Sequence, residues 1–459
     1  MMRVDRSSLP VLGPDPQLRF PTIEKSSLSN GLRIWTIEHR DVPVVVFVLL
    51  LPVGAAADPD DRPGLAAITG DLLDEGCGNR SALEIHDALA RLGAQMETEV
   101  GSDASVVTMS VLSRNMGRGL GLLAEMVREP RFEQKEFDRV RDLRLNRLLQ
   151  LRDLAPAVAD RAFTHLLYRN HPYGHLAIGT EGSLRGMMLR EVHQHYRRAY
   201  RPERVTVIAV GDATHDALKQ AVARGFESWK PAAGGNGTPL VDAGEIDPPR
   251  GALERLAVVH RAGAAQSELR IGQVAAARQT PDYHALLVLN MVLGGQFISR
   301  VNMNLREEKG YTYGARTAFD FRRGRGPFLL QVGVQTEVTA DALREALAEL
   351  AAIRGDRPVT DAELTTARAA LTRGYPRNFE TADQIARAAA QLALYGLPDN
   401  YFSEFAPKVT AVDRDEVTRV AQAYLDPPRM LTVVVGDRDR ITAPLSALNL
   451  GDSSEVAMA

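Results

Sequence analysis

The stretch EVHQHYRRAYRPERVTVIAVGD, Glu191 to Asp212, has a counterpart in EVTRVAQAYLDPPRMLTVVVGD, Glu416 to Asp437. Each reads as a helix closing on an Ala-Tyr pair, then a proline turn, a β-branched strand and a Gly-Asp stop. The copies lie about 225 residues apart, close to half of the 459-residue chain. Solenoid periods run about 20–50 residues, so a spacing this long means a duplicated domain. Any fold for this chain must therefore be built from two similar units.

Between the copies, KPAAGGNGTPLVDAGEIDPPRG is dense in Gly and Pro and lacks apolar periodicity, the composition of a linker. This gives a first domain over 20–230, a linker over 231–251 and a second domain over 252–448, with the tail GDSSEVAMA expected to fray. In the first domain GLRIWTIEH and PVVVFVLLLP read as strands, and Asn30-Gly31 supplies turn chemistry before them. Asn79-Arg80-Ser81 offers a cap for ALEIHDALARLG, whose Ile85, Leu89 and Leu92 recur at helical spacing. GAQMETEVG and ASVVTMSVL pair as a hairpin, and helices follow over about 117–127 and 136–149. Strand runs followed by helix runs predict the α+β class.

Charge excludes some functions. Against 58 acidic residues stand 55 basic ones, and no basic block tracks a phosphate backbone, so nucleic-acid binding has no support. The longest apolar run, VVVFVLLL, is far short of the ~20 residues that span a bilayer. No continuous apolar segment of a secretory signal opens the chain. A soluble protein, cytoplasmic or periplasmic, is expected. The lone Cys77 excludes an internal disulfide and reads as a packed thiol.

Two further segments carry the chemistry. GLAAITGDLLDEGCGNRS, from Gly64, opens as a helix with Leu65, Ile68, Leu72 and Leu73 on one face. GGQFISRVNMNLREEKGYTYGARTAFDF, from Gly294, reads as a helix carrying Phe297, Ile298, Val301 and Leu305, ending at Lys309-Gly310. A strand over YTYGARTAF should follow, with Tyr311 and Tyr313 on one face. Arg306 and Tyr313 can then converge across the Gly310 corner. Gly294-Gly295 reads as a flexible loop permitting close backbone approach. Composition alone favours the plainer reading, with Arg306 paired to Glu307 or Glu308 on the surface and Tyr313 simply packing its ring.

From Leu28-Ser29-Asn30-Gly31-Leu32 to Gly436-Asp437 the chain resembles the M16 superfamily (pitrilysin, insulinase, mitochondrial processing peptidase), and most of all its short bacterial two-domain type. The resemblance implies two homologous domains, each an antiparallel β-sheet packed with helices. Active relatives have an H-x-x-E-H helix whose histidines hold zinc and whose Glu deprotonates the attacking water, with a distal carboxylate as further ligand. Here Gly64-Leu65-Ala66 and Gly76 keep the frame, but the motif positions read Ala67-Ile68-Thr69-Gly70-Asp71. Around the distal ligand, LRLNRLLQLRD offers Asn146, Arg147 and Leu148 instead of a Glu. No metal site is expected, and Ala67, Gly70 and Asp71 mark the lost positions. His171 and His175 in HPYGH resemble a structural corner of the family, and His193 and His195 face differently on a helix.

LREEKGYTYGA resembles the family's R-E-x-x-G-x-x-Y element, which implies that Arg306 and Tyr313 hold substrate and stabilise an oxyanion. A fixed guanidinium and a phenol are suitable donors for a developing alkoxide. Gly294 and Gly295 join them as substrate-binding residues. So does the strand carrying Gln95, Met96 and Glu97, which matches an edge strand that pairs with extended peptide in relatives. The charges of Glu97 and Glu99 are equally what protects an exposed edge.

The first expectation is a non-zinc, substrate-holding subunit of a heterodimeric M16 metallopeptidase. It needs no cofactor of its own, zinc and H-x-x-E-H belonging to a homologous partner chain, and its substrate is peptide. The alternative is a non-catalytic peptide-binding or scaffold protein. Either way the isolated chain should bind no stoichiometric zinc; metal analysis of the purified, dialysed protein finding one tightly held zinc per chain would sink that reading.

Overall fold

A computed structural model describes residues 18–230, 240–249, 255–451 and 454–456. Most of the expected linker (231–239, 250 and 251) lies outside the described residues. Two six-stranded sheets form the frame. The first contains β1 (Glu24–Ser27), β2 (Arg33–Glu38), β3 (Val44–Leu51), β6 (Gln95–Val100), β7 (Ser105–Leu112) and β8 (Thr206–Gly211), in the order β1-β2-β8-β3-β7-β6. A two-stranded ribbon, β4 (Gly76–Cys77) and β5 (Arg80–Ser81), stands apart.

The second sheet holds β9 (Leu256–His260), β10 (Gln266–Val274), β11 (Ala315–Phe319), β12 (Pro327–Gln335), β13 (Leu431–Gly436) and β14 (Ser454–Glu455), in the order β14-β9-β13-β10-β12-β11. Leaving aside β1 and β14, the sheets correspond strand for strand. The repeated Gly-Asp segments end β8 and β13, which occupy the same place in each.

The α+β class stands, with one correction: neither sheet is wholly antiparallel. β2 runs parallel to β8, and β9 runs parallel to β13 and β14. The early and late strands of each unit meet side by side, and the long helical excursion between them allows the parallel crossover. A second correction concerns the tail, where Ser454 and Glu455 pair with Ala257 and Val258 instead of fraying.

Local chemistry explains the elements around the site. Helix α1 (Leu65–Asp71) is short, and α2 (Ala82–Leu92) starts from Ser81, whose hydroxyl and Glu84 form a reciprocal capping box. Helices α3 (Met116–Arg128), α4 (Gln134–Arg152) and α5 (Ala155–Tyr168) follow. The run VVVFVLLL is apolar throughout because β3 is buried on both faces. Val45, Phe47, Leu49 and Leu51 enter the main core of the first half, while Val46, Val48 and Leu50 enter another.

That other core is closed by a helix from the second half. Ile385, Ala386 and Ala389 of the helix Ala382–Tyr395 pack on β3 and β8. The exchange is reciprocal: Ala159, Ala162 and Phe163 of α5 pack against Val259 of β9 and Val433 and Val435 of β13. A corner at His171–His175 adds polar ties. The Tyr173 hydroxyl donates to Asp103 Oδ1 at 2.6 Å and accepts the Gly324 N–H at 3.0 Å. Asp103 Oδ2 accepts the Arg323 N–H at 2.7 Å.

Both tryptophans, Trp35 and Trp229, report on the first half, whereas Ile385 belongs to the second. Ile385→Ala should cost about 2–5 kcal/mol and lower the urea midpoint read by tryptophan fluorescence. A fluorescence transition unmoved by the substitution would mean that the halves do not depend on each other.

Candidate functional site

Helix α1 carries positions 67–71, which the resemblance sets against a metal motif. Gly64 precedes it at φ +97° and lies against Gly179, where a Cβ would come 3.0 Å from the Gly179 Cα. The buried Asp58 carboxylate accepts the N–H groups of Gly64 and Ala66 at 2.7 Å each, supplying the negative charge that a helix N-terminus favours. Leu65, Ile68, Leu72 and Leu73 are all buried, as their spacing predicted.

The motif positions are committed to packing. Ala67 is buried, and Gly70 lies so close to β6 that a Cβ would sit 3.0 Å from Thr98 Cγ2 and 3.3 Å from Val100 Cγ2. Asp71 accepts a hydrogen bond from Arg144 Nη1 of α4 at 3.2 Å, and Arg144 also donates to the Ala177 carbonyl. Burial raises the Asp71 carboxyl above its ordinary range and Arg144 pulls it back. A single carboxylate already bound to a guanidinium, beside Ala and Gly, is not a zinc donor set. The residues do not fit the metal that the fold family implies. Arg144 went unnoticed in the sequence because the expected ligand position lies two to four residues further along α4.

The Arg306 segment differs from its sequence reading. The chain becomes helical only at Arg300–Asn302, then widens into a π-turn over Met303–Glu308. Phe297 and Ile298 precede the helix and are exposed, while Val301 and Leu305 are buried as expected. Gly310 takes φ +67°, but the strand begins at Ala315 and not at Tyr311. Thr312 explains the delay: its hydroxyl donates to the Gly333 carbonyl at 2.7 Å and accepts the Gly314 N–H at 3.1 Å, holding a local turn in place of a ladder.

Nor is Gly294-Gly295 flexible. A Cβ on Gly294 would meet Thr317 Oγ1 at 2.5 Å, and one on Gly295 would meet Asn290 Nδ2 at 2.7 Å. The close approach is real, and it locks the loop. The Asn302 amide completes the clamp. It donates to the carbonyls of Gln296 (3.2 Å) and Ala315 (2.7 Å) and to Ser299 Oγ (3.1 Å), and it accepts the Ala315 N–H at 2.9 Å. At the same turn Arg300 grips Glu363 at 2.6 and 2.8 Å. Burial alone would raise that carboxyl, but hydrogen bonds from Arg300 and Thr360 hold it down at about 2.

On this frame Arg306 pairs with Glu307 and lays its guanidinium on the Phe297 ring. Tyr313 is 96% exposed. Beside them a cavity of about 520 Å3 opens along β11, lined by Gly294, Gly295, Phe297, Asn302, Arg316 and Gln331 among others. Gly294 and Gly295 are thus brought to the Arg306 element. Gln95, Met96 and Glu97 lie on β6, the edge strand at the corresponding end of the first sheet, against α1. The carboxylates of Glu97 and Glu99 are tied to Arg387 at 3.1 and 3.0 Å.

The histidines have structural partners. His171 Nε2 donates to the Ile246 carbonyl at 3.0 Å and its Nδ1 accepts the Tyr173 N–H at 3.1 Å, while His175 Nε2 faces the Ala55 carbonyl. His193 meets Phe132 edge-on, and burial drives His195 down to about 4. Cys77 is buried and its thiol is pushed up to about 11, chiefly by desolvation. Among the described residues one three-group cluster, His260, Asp437 and Asp439, has metal-ligand spacing. Its Asp437 already accepts the N–H groups of Gly263 and Asp439, and its His260 that of Arg438.

Known proteins share this architecture. The pattern described as Insulinase (Peptidase family M16) matches residues 33–181, and that described as Peptidase M16 inactive domain matches 188–371. A protein of Mycobacterium leprae described as an uncharacterized zinc protease is 26% identical over 359 residues, 76% of this chain and 77% of that protein. A probable mitochondrial-processing peptidase subunit beta of Arabidopsis thaliana is 20% identical over 89% of this chain and 77% of its own. A solved protease from Helicobacter pylori superposes with a TM-score of 0.85 at 21% identity, covering 91% of this chain and all of that one. The peptidase M16 inactive domain structure from Pseudomonas fluorescens gives 0.83 at 23%, covering 91% and 98%. With matches to both domain types of the family, in order along one chain, and the duplicated sheets they require, this chain belongs to the M16 peptidase superfamily.

Proposed function

We propose that this chain is the zinc-free, substrate-holding subunit of a two-chain M16 metallopeptidase. Arg306 and Tyr313 would face a zinc site carried by a homologous partner with H-x-x-E-H, and the substrate would be an extended or unfolded peptide. The observation that carries the reading is the exposure of Tyr313, 96% on a segment clamped by Asn302 and by Thr312. A ring packed into the core would have argued for a structural tyrosine; this one contributes nothing to the core.

Its neighbours point the same way. Phe297, Ile298, Met303 and Tyr313 are four of the twelve exposed large apolar or aromatic side chains among the described residues, all within one short segment. Such a concentration marks a surface that meets something else. The π-turn beneath Arg306 is a rare geometry that recurs at functional sites. The Arabidopsis relative is itself described as a subunit, which suits a divided enzyme. In that arrangement the guanidinium and the phenol would donate to the substrate's carbonyl oxygen as its charge develops.

The alternative, a peptide-binding or scaffold protein, draws on the filled motif positions at Ala67 and Gly70. A tagged pull-down from the source organism separates the two. The expected result is a stoichiometric companion of similar size bearing H-x-x-E-H. Recovery of the chain alone or as a homodimer removes the peptidase reading. In the complex, Arg306→Ala and Tyr313→Phe should each lower turnover of a quenched fluorescent peptide about 10–1,000-fold while leaving assembly by gel filtration intact. Unchanged cleavage by both variants would end the case for the pair.

A further inference from the structure

The Arg306 guanidinium carbon lies 3.1 Å from the centroid of the Phe297 ring. Among the described residues its ion pair is with Glu307, itself half exposed, and its buried Nε has no hydrogen-bond acceptor. The side chain as a whole is nevertheless only 11% exposed, with the Phe297 ring on one face of it. A guanidinium stacked on a ring is held by its face, which leaves N–H groups in its plane free to point outward.

Phe297 is 68% exposed, so it does little for the core. Yet its backbone is among the most constrained in the segment. Gly294 is pressed on Thr317 and Gly295 on Asn290, the Gln296 carbonyl is held by Asn302, and the Ser299 N–H donates back to Gln296. The same Asn302 grips Ala315, just after Tyr313, and stands one helical turn before Arg306. An exposed aromatic ring on a fixed bracket, with a cation laid across it, is a device for setting the orientation of that cation.

We propose that Phe297 is a positioning residue for Arg306: its ring fixes the plane of the guanidinium and turns the N–H edge toward the backbone carbonyl of a bound peptide. The assignment rests on the proposed role of Arg306 and adds to it a residue that acts only through the arginine. Leucine at 297 would fill part of the volume without offering a π-face, and tryptophan would keep the face.

The test uses the two-chain complex and a quenched fluorescent peptide. Phe297→Leu is expected to lower kcat about fivefold, the size of one partly exposed cation–π contact, with KM and the melting temperature little changed. Phe297→Trp should retain kcat. Adding Phe297→Leu to Arg306→Ala should cause no further loss, because the ring has no target once the guanidinium is gone. In the free chain with labelled arginine, the Arg306 side-chain signals should lose their ring-current shift in Phe297→Leu. If Arg306→Ala lowers turnover but Phe297→Leu does not, the positioning role falls and the subunit reading stands. Fully additive losses would overturn the positioning role as well, since Phe297 would then act on the peptide directly. If Arg306→Ala has no effect, both fall together.

Discussion

Each sheet of this protein depends on a helix supplied by the opposite half. β3 and β8 present Val46, Val48, Leu50, Ile208 and Val210 on the face away from their own main core, and Ile385, Ala386 and Ala389 cover it. On the second sheet Val259, Val433 and Val435 are covered by Ala159, Ala162 and Phe163. Without this exchange each half would expose a continuous apolar sheet face, of the kind soluble proteins cover. The covering helices are rich in alanine at the contact, which lets a helix lie close on a flat sheet, and Phe163 comes within 2.9 Å of where a Cβ on Gly272 would be. The duplicated units are thus two in topology and interdependent in packing.

The parts of the fold legible in the sequence are those decided by local periodicity. The alternating or continuous apolar runs marked the strands, Asn79-Arg80-Ser81 marked the start of α2, and the repeated Gly-Asp stops marked the duplication. The helix exchange was not legible, because an alanine-rich face looks the same whichever sheet it covers. The Arg306 segment misled for a different reason. Phe297 and Ile298 have helical spacing with Val301 and Leu305, but the loop before Arg300 is fixed by Asn290, Asn302 and Thr317, residues remote from one another in sequence. Tyr311 to Gly314 have strand composition, yet the Thr312 hydroxyl satisfies the local backbone. A π-turn leaves no mark in a pattern of period 3.6.

Helix α1 is held at both ends by carboxylates. Its N-terminus is held by the buried Asp58 and its far end by the Asp71–Arg144 pair, which joins α1 to α4. The guanidinium, carrying a positive charge and five donors, does part of what a bound cation does structurally: it links two helices through a carboxylate. It supplies no open coordination position and no acidified water, so the chemistry does not come with the cross-link. At Gly70 helix and edge strand lie so close that a Cβ would press on Thr98 and Val100.

The two walls therefore follow different physical logic. Around α1 the polar side chains are tied internally: Asp58 is bound by backbone N–H groups, Asp71 by Arg144, and the Thr69 hydroxyl donates to the Leu65 carbonyl. At 294–316 the internal bonds are spent on the bracket, by Asn302, Thr312 and Thr317, and the Tyr313 side chain it carries is turned outward. Tyr313 stands in solvent, and Arg306 is braced by a ring and a single carboxylate. Folding this chain alone gains little from such an arrangement. A rigid scaffold with an outward-facing phenol suits binding to another molecule, since groups already ordered lose less entropy when the contact forms. The α1 side is closed on its own neighbours, while the 294–316 side presents Tyr313 to solvent on a fixed backbone.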